Sequence, residues 1–387
     1  MAEKPNVLFL PKWYPNKFDP FDGNFVENHA HAIKAFANIC VLFVHSDDEA
    51  EDFVLEEKHN EGIIELRVYF KRSKTGISLI DKLVNAARYA KAQEKGYEYL
   101  IGKGFSFDLS HVHVLSRTAF LAMQLLKKHK IPFGITEHWS GYLKERDEYH
   151  GLIKKWFTKK AVSKASFIST VSTYLKESMQ NHGLNGNYTL IPNVVDEELF
   201  ISKENPISNP QVLFVGNLLQ RPKKILDIIQ TFIHLHEAGE EFIFHIYGEG
   251  IDEPKCRELI QEHQLAHKII LKGTANRAGI AKAMSESSFL VLFSQFENQP
   301  CVISEAQSAG IPVVVPDLPG IKEFMNDKLG IVVPTNNQLA FEAACQKMLH
   351  TYQDYSKTEI RSFAVNTFGE KVIGKQFHTI YQNAIQA

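Results

Sequence analysis

The second half of the chain alternates short, almost continuous apolar runs with longer amphipathic stretches. Such runs, rich in β-branched residues, are typical of strands buried on both faces of a sheet. The amphipathic stretches predict helices, the first of which covers 225–239 and stops at Gly239. Strand and helix alternate five times, which predicts a parallel sheet covered by helices. The predicted strands are QVLFV (211–215), FIFHIYG (242–248), KIILKG (268–273), FLVLFS (289–294), IPVVVP (311–316) and GIVVP (330–334).

The first half of the chain shows the same alternation of predicted strands and helices, but less regularly. Residues 47–105 are irregular, with a predicted strand at 63–70 and a predicted helix at 77–93. The other predicted strands are NVLFL (6–10), ICVLFVH (39–45), DLSHVHV (108–114), PFGIT (132–136) and SFISTVS (166–172). We therefore predict an α/β protein with two doubly wound sheets in tandem.

The predicted domain boundary lies in a polar stretch, 193–210, that contains two prolines. We expect an N-terminal domain over 1–200 and a C-terminal domain over 201–369, with a final helix at 370–387 packing back on the first domain. In open parallel sheets, ligands bind at the carboxyl ends of the strands. We therefore expect the functional residues to follow strands directly and to line a cleft between the two domains.

The composition and charge of the chain exclude several classes of protein. Apolar residues make up 44% of the chain and charged residues 23%, as in globular proteins. Lys and Arg number 43 against 45 Asp and Glu, and this near balance gives no support to nucleic-acid binding. The four cysteines are scattered, which indicates a reducing compartment rather than a disulfide framework. Pro11 and Lys12 end the first apolar run too early for a signal peptide, so we expect a cytoplasmic protein.

The segment 289–323 carries the most chemical information. Glu297 falls in the loop after a predicted buried strand, and Glu305 falls inside the next helix, with Asn298 as its predicted N-cap and Pro300 in its first turn. Amides at a helix start favour phosphate, and carboxylates accept hydrogen bonds from sugar hydroxyls. Solvated surface glutamates are an equally good interpretation of this segment alone. The backbone predicted to contact phosphate comprises Asn298, Gln299, Pro300, Cys301 and Val302.

Two glutamates separated by seven residues and followed by Gly-Ile-Pro resemble the donor site of retaining glycosyltransferases of family 4. Other segments resemble further motifs of that family: TEHWS (136–140), IPNVVDEELF (191–200), VLFVGNLLQRPKKILDIIQTF (212–232), IYGEG (246–250) and FGEKVIGKQFHTIY (368–381). The resemblance implies the GT-B fold, in which two Rossmann-like domains face each other across a cleft. It also implies that Glu297 contacts the transferred sugar and Glu305 the ribose of the nucleotide.

The first predicted strand of the second half leads into residues suited to a diphosphate. Gly216 lets a ligand approach the backbone closely. The family usually has an Arg next, where this chain has Asn217, which brings no charge. The candidates for the missing cation are Arg221, Lys223 and Lys224. Counting back from Asp227 favours Lys224, although solvated surface lysines are the alternative for both.

The first half of the chain is expected to bind the acceptor. His138 follows a predicted strand, and the resemblance implies a position close to the sugar and the reaction centre. A histidine with a structural hydrogen bond is the alternative. Gly23, between Asp22 and Asn24, resembles the family's Gly-rich loop near the donor phosphates, and an Asp or Asn helix cap is the alternative there.

We expect neither a metal nor a cofactor. His111 and His113 share one face of a strand, but no third ligand is suggested nearby, so a structural pair is favoured over a zinc site. His29 and His31 are two residues apart on a helix and point apart, and no Asp-x-Asp triplet follows a strand. The expected donor, a UDP- or GDP-linked sugar, is a substrate.

A basic stretch, 151–167, contains Trp156 and Phe157. Such a stretch can rest on an anionic membrane and bring the enzyme to a lipid-linked acceptor, although a solvated helix face is the commoner explanation. The expected location is therefore the cytoplasm, with the inner face of the membrane as an option.

The predicted function is that of a retaining, metal-independent glycosyltransferase of the hexosyltransferase type. It would move a sugar from a nucleotide-diphosphate sugar to a saccharide or lipid-linked saccharide, in cell-surface polysaccharide biosynthesis. The alternatives are another GT-B enzyme, such as a nucleotide-sugar epimerase or a phosphorylase, and a non-catalytic sugar-binding protein with two lobes. Asn217 also leaves open an inactive transferase.

Overall fold

Two α/β units, each with its own sheet and its own hydrophobic core, make up the protein. Their structure is a computed structural model that describes residues 4–202 and 209–387. One unit comprises Met1–Asn193 and Glu370–Ala387, and the other comprises Val194–Gly369. Residues 203–208, which belong to the predicted linker, lie outside the described residues.

The boundary between the units lies seven residues before the predicted one. Residues 194–200 belong to the second unit, because Val195 pairs with Gly369 in a parallel bridge and Phe200 is fully buried in the core of that unit. The Arg361 guanidinium also holds this segment, donating hydrogen bonds to the carbonyl oxygens of Glu197 and Phe200 at 2.7 and 2.6 Å. These contacts are distant in sequence, so a polar, proline-containing stretch gave no sign of them.

The first unit contains an eight-stranded sheet with the order β3-β4-β2-β1-β5-β6-β7-β8. Its strands are β1 (Asn6–Pro11), β2 (Asn38–Ser46), β3 (Phe53–Asn60), β4 (Ile63–Phe70), β5 (Leu109–His113), β6 (Phe133–Glu137), β7 (Phe167–Thr170) and β8 (Tyr188–Leu190). Its first five helices are α1 (Asn24–Ile33), α2 (Ser78–Gly102), α3 (Ala119–His129), α4 (Leu152–Val162) and α5 (Thr173–Asn181). Every pairing is parallel except β3 with β4.

The sequence did not predict the edge strands β3 and β8. β3 is only partly buried and carries five polar residues in its eight, so its pattern lacks the apolar run of a central strand. β8 is three residues long. Strand propensity and the periodicity of apolar residues predict such edge strands poorly, because these strands are stabilised by pairing with a neighbouring strand.

The second unit contains a six-stranded sheet in the order β11-β10-β9-β12-β13-β14, and all its pairings are parallel. Its strands are β9 (Gln211–Val215), β10 (Ile243–Tyr247), β11 (Ile269–Gly273), β12 (Phe289–Val291), β13 (Val313–Pro316) and β14 (Gly330–Val333). Its helices are α6 (Gln220–Lys223), α7 (Ile225–Glu237), α8 (Glu253–Glu262), α9 (Arg277–Ser285), α10 (Cys301–Ser308), α11 (Pro319–Lys322), α12 (Gln338–Thr351) and α13 (Lys357–Phe368). The predicted parallel sheet is confirmed, although β12 ends three residues before the predicted Ser294.

The last helix, α14 (Glu370–Gln386), belongs to the first unit, where it packs against α1. Its Tyr381 hydroxyl lies 2.6 Å from Nδ1 of His111 on β5, and both side chains are fully buried. The chain therefore enters the second unit after Asn193 and returns to the first at Glu370. Within the described residues, no helix combines the length and apolarity needed to span a bilayer.

Candidate functional site

The loops after β9 and β10 touch each other at the carboxyl edge of the second sheet. The amide of Gly216 donates to the carbonyl of Tyr247 at 3.0 Å, and a Cβ added to Gly248 would lie 1.9 Å from the carbonyl oxygen of Gly216. A Cβ at Gly250 would lie 2.3 Å from the carbonyl oxygen of Leu218. The glycines of the IYGEG segment therefore permit close contact between two backbones.

Lys223 and Glu297 form a charged hydrogen bond at this edge. Their side chains are only 18% and 14% exposed, so water screens the pair less than it would screen an open surface pair. The Lys223 stem passes close to Gly216, where an added Cβ would lie 3.8 Å from its Cε atom. The amide of Gln295 also donates to the carbonyl of Pro222 at 2.9 Å, which joins the two loops. The structure thus brings Gly216, Lys223 and Glu297 together.

Lys224, which the sequence favoured, has different partners. Its Nζ atom lies 3.2 Å from Oδ2 of Asp227 and 4.5 Å from the ring centre of Phe293. The spacing from Asp227 that singled out Lys224 therefore reflects an ion pair between residues three apart. Asn217 and Arg221, the other candidates in this loop, are exposed.

Helix α10 starts differently from the prediction. It begins at Cys301, and Pro300 holds the N-cap position with an extended backbone (φ −72°, ψ 121°) and without a side-chain capping hydrogen bond. Asn298 is therefore not the N-cap. Its backbone instead packs against α11, where a Cβ added to Gly320 would lie 1.8 Å from the Asn298 carbonyl oxygen. Burial raises the pKa of the Cys301 thiol to about 12, so it is uncharged at neutral pH.

Glu305 lies in the second turn of α10, beyond Val302. Burial raises the pKa of its carboxyl to about 7, and the positive charge of Arg277 opposes this shift. The Arg277 guanidinium lies 3.5 Å from Oδ2 of Asp196. Arg277 was not among the residues predicted from the sequence, although it begins the helix that follows β11, and residues that follow strands were the expected candidates.

In the first unit, a buried carboxyl group orients the loop that carries His138. Glu137, the last residue of β6, accepts hydrogen bonds from the amides of Leu115, His138 and Trp139, each at 2.9 Å. Burial raises the pKa of Glu137, and these three donors and the charge of Lys12 lower it. Glu137 therefore fixes the backbone after β6. The TEHWS motif contains this residue, but its sequence does not reveal that the carboxyl group points inward.

His138 belongs to a cluster of histidines. Ring centroids are 5.3 Å apart for His29 and His138, and 5.9 Å apart both for His113 and His138 and for His29 and His113. Burial lowers the pKa of all three, to about 4 for His29, so the rings are neutral at pH 7. The prediction that His113 has no third potential ligand nearby was wrong, because the fold places His29 and His138 beside it. His31, which was predicted to point away from His29, is not part of this group.

Gly23 is the N-cap residue of α1 and has a left-handed backbone (φ 63°). A Cβ there would lie 2.3 Å from the carbonyl carbon and oxygen of Trp13, so the loop after β1 folds directly onto this glycine. The N-cap position carries no side-chain hydrogen bond, which rules out the alternative of an Asp or Asn cap. Desolvation raises the pKa of Asp22 to about 6.

Two models of protein families match the chain. Glycosyltransferase Family 4 matches residues 26–199, and Glycosyl transferases group 1 matches residues 195–362. The chain belongs to the group 1 glycosyltransferases. Membership of this family favours a transferase over an epimerase, a phosphorylase or a non-catalytic sugar-binding protein.

Solved structures support the fold of this glycosyltransferase. A sucrose-phosphate synthase from Thermosynechococcus elongatus is 16% identical, with a TM-score of 0.72 and coverage of 98% of this chain and 99% of that one. The Anabaena protein HepE in complex with UDP is 14% identical, with a TM-score of 0.69 and coverage of 98% and 100%. The predicted GT-B class, with two Rossmann-like units, is confirmed.

Curated relatives of the glycosyltransferase are distant. The alpha-monoglucosyldiacylglycerol synthase of Acholeplasma laidlawii is 22% identical over 313 residues, which are 72% of this chain and 76% of that protein. The next two relatives are matched over 31% and 36% of their own lengths, so the chain spans about a third of each.

Proposed function

We propose that this glycosyltransferase transfers a sugar, with retention of anomeric configuration, from a nucleotide-diphosphate sugar to a saccharide or lipid-linked saccharide. The supporting observation is the Lys223–Glu297 pair, held beside Gly216 at the carboxyl edge of the second sheet. Retention is inferred from the resemblance of the two-glutamate segment. UDP is the first nucleotide to test, because HepE was solved with UDP.

The proposed step breaks the bond between the anomeric carbon and a phosphate oxygen, and the electron pair stays on the diphosphate. The acceptor's hydroxyl oxygen forms the new bond to the same face of that carbon, and its proton goes to the leaving diphosphate. A cation beside the diphosphate stabilises the charge that develops on it. Lys223 is the proposed cation, since its partner Glu297 carries the charge that a bound diphosphate would replace. Release from Lys223 would leave the Glu297 carboxylate available to the hydroxyls of the sugar.

Glu305 is the proposed ligand of the ribose hydroxyls. An ionised carboxylate accepts hydrogen bonds from both hydroxyls, and such charge-assisted bonds are about twice as strong as neutral ones. The proposed phosphate contacts come from the backbone at the start of α10 and from Gly216. On the first unit, we propose that His138 and the loop at Gly23 contact the sugar and the acceptor.

Lys223 and Lys224 form a matched pair for testing the proposed cation. We expect Lys223→Gln to weaken UDP binding about 10- to 150-fold, because a hydrogen bond to a charged group contributes about 1.5–3 kcal/mol. Lys224→Gln should change affinity less than about threefold, since Asp227 and Phe293 hold that side chain. Calorimetry on both variants checks this, with melting curves as the folding control. A larger effect of Lys224→Gln would transfer the role to Lys224.

Substitutions of Glu305 and Glu297 should have different effects, the first on nucleotide binding and the second on sugar transfer. In calorimetry with UDP, GDP and ADP, we expect one nucleotide to bind and Glu305→Gln to weaken it by about 10-fold or more, through loss of charged hydrogen bonds. Glu297→Gln should leave nucleotide affinity intact or raise it, because it removes the charge that a bound diphosphate would replace at Lys223, and it should reduce sugar transfer by orders of magnitude. Glu262→Gln, at an exposed position on α8, serves as the control. Binding of none of the three nucleotides would refute the proposed donor site.

Donor affinity should rise with pH through neutrality. Burial raises the pKa of Glu305 to about 7, so its carboxyl is mainly protonated, and a poor acceptor, below that pH. UDP-glucose and GDP-mannose keep a constant diphosphate charge in this range. Affinity for whichever binds should increase about tenfold from about pH 6 to about pH 8. Glu297→Gln should preserve the slope, and a flat or falling profile in the wild type would contradict the role of Glu305.

We further propose that α4 contacts an anionic membrane. Its first turns expose Leu152, Ile153 and Trp156 by 87%, 83% and 62%, and lysines are interspersed among them. The Nζ atom of Lys154 lies 3.9 Å from the ring centre of Trp139, the residue after His138. The exposed apolar turn is therefore close to the proposed acceptor residue, which suits a lipid-linked acceptor. The relative from Acholeplasma laidlawii is named as a synthase of a glucosylated diacylglycerol.

Vesicle sedimentation tests this contact. We expect binding to vesicles of phosphatidylcholine with phosphatidylglycerol, and much weaker binding to phosphatidylcholine alone, because basic residues require anionic lipid. The triple variant Leu152→Ser, Ile153→Ser, Trp156→Ser should abolish binding. The double variant Ile251→Ser, Leu339→Ser removes equally exposed apolar side chains from the second unit and should bind normally. Equal loss in both variants, or no binding by the wild type, would refute the contact.

A further inference from the structure

Three imidazole rings converge inside the first unit, each from a different element. His29 comes from α1, His113 ends β5, and His138 follows β6. One ring nitrogen from each can be chosen so that the three atoms all lie within 4.8 Å of one another. We call these residues the histidine trio.

His113 is the member of the trio with the least hydrogen bonding for its burial. It is fully buried, and within the described parts of the chain neither of its ring nitrogens has a hydrogen-bond partner. A buried polar group without a hydrogen-bond partner destabilises the folded state. A metal ion that accepts the lone pair of one ring nitrogen would give that nitrogen a partner.

The neighbours of the trio resemble the supporting contacts of a metal site. Nε2 of His29 lies 3.3 Å from the carbonyl oxygen of Pro192, and the side chain of Asn193 lies near that of His138 and interacts with it. Metal-binding histidines usually donate their second ring nitrogen to such a group, which fixes the tautomer. Two adjacent residues, Pro192 and Asn193, thus support two members of the trio.

The nearby His111 has a different role. Its Nδ1 and Nε2 atoms lie 2.6 Å from the hydroxyl oxygens of Tyr381 and Thr136, so both nitrogens are occupied. Its ring centroid lies 4.1 Å from that of His113. His111 therefore ties β5 to α14 and to β6, and packs against the trio without joining it.

We propose that His29, His113 and His138 bind one divalent transition-metal ion of the Zn²⁺ type. Imidazole nitrogen favours Zn²⁺, Co²⁺, Ni²⁺ and Cu²⁺ over Mg²⁺ and Ca²⁺. Three histidines leave a fourth position open, as in zinc sites that bind water or substrate. Binding at metal–nitrogen distances of about 2.0–2.1 Å requires the three nitrogens, which lie within 4.8 Å of one another, to point at one common position. His138 is only partly buried, so the open position can face solvent or a bound hydroxyl oxygen.

Co²⁺ is the probe for this site, because its visible absorption reports four-coordinate binding. We expect untagged full-length protein, dialysed against a chelator, to bind one Co²⁺ per chain with intense d–d bands, and Zn²⁺ to displace it. His29→Asn, His113→Asn and His138→Asn should each weaken binding by at least about 10-fold. His150→Asn, which changes an exposed histidine, should leave binding unchanged.

Folding and nucleotide binding are measured on the same variants. His113 is in the core, so a melting curve identifies a folding defect, and the partly exposed His138→Asn provides the second test. UDP affinity should not change in His113→Asn, because the proposed nucleotide ligands belong to the second unit. Absence of the d–d bands in the wild type, or bands that persist in all three variants, would overturn the proposal whether or not the protein transfers sugar.

Discussion

Parallel strands end at one edge of their sheet, and this constraint decides where the candidate functional residues lie. In the second unit, the segments that follow β9, β10, β11 and β12 supply Gly216, Gly248, Arg277 and Glu297 at that edge. In the first unit, the ends of β5 and β6 supply His113 and His138. Residues far apart in sequence become neighbours because each crossover returns the chain to the same edge.

The cost of burying charge explains how these edges are organised. Lys223 and Glu297 are mostly shielded from water, and each compensates the other. Glu137 is fully buried and is stabilised by three backbone amides and by the charge of Lys12. Glu305 has Arg277 as its compensating charge, and desolvation still raises its pKa to about 7. A ligand that brings negative charge or hydroxyl groups can therefore replace or complete these contacts.

The histidines of the first unit show how a polar core is built from long-range contacts. His111 is satisfied by Tyr381 from the last helix of the chain, while His113 packs against it. The segment at 192–193 supports His29 and His138 just before the chain leaves the unit. The first core therefore depends on the last helix of the chain and on the segment at which the chain leaves the unit, and the histidine trio lies between these contacts.

The sequence by itself determined the alternation of strands and helices, because buried strands must be apolar on both faces and helices must carry one apolar face. It also singled out three candidate residues within recognisable motifs: Glu297 and His138, which follow predicted strands, and Glu305, which lies in the helix after one. Only the tertiary structure decided which of two adjacent lysines contacts Glu297. Lys223 forms this contact, whereas Lys224, the next residue, forms an ion pair with Asp227. The tertiary structure also decided the edge strand β3, the boundary at Asn193 and the histidine trio, because these depend on contacts between residues distant in sequence, which local patterns of polarity do not encode.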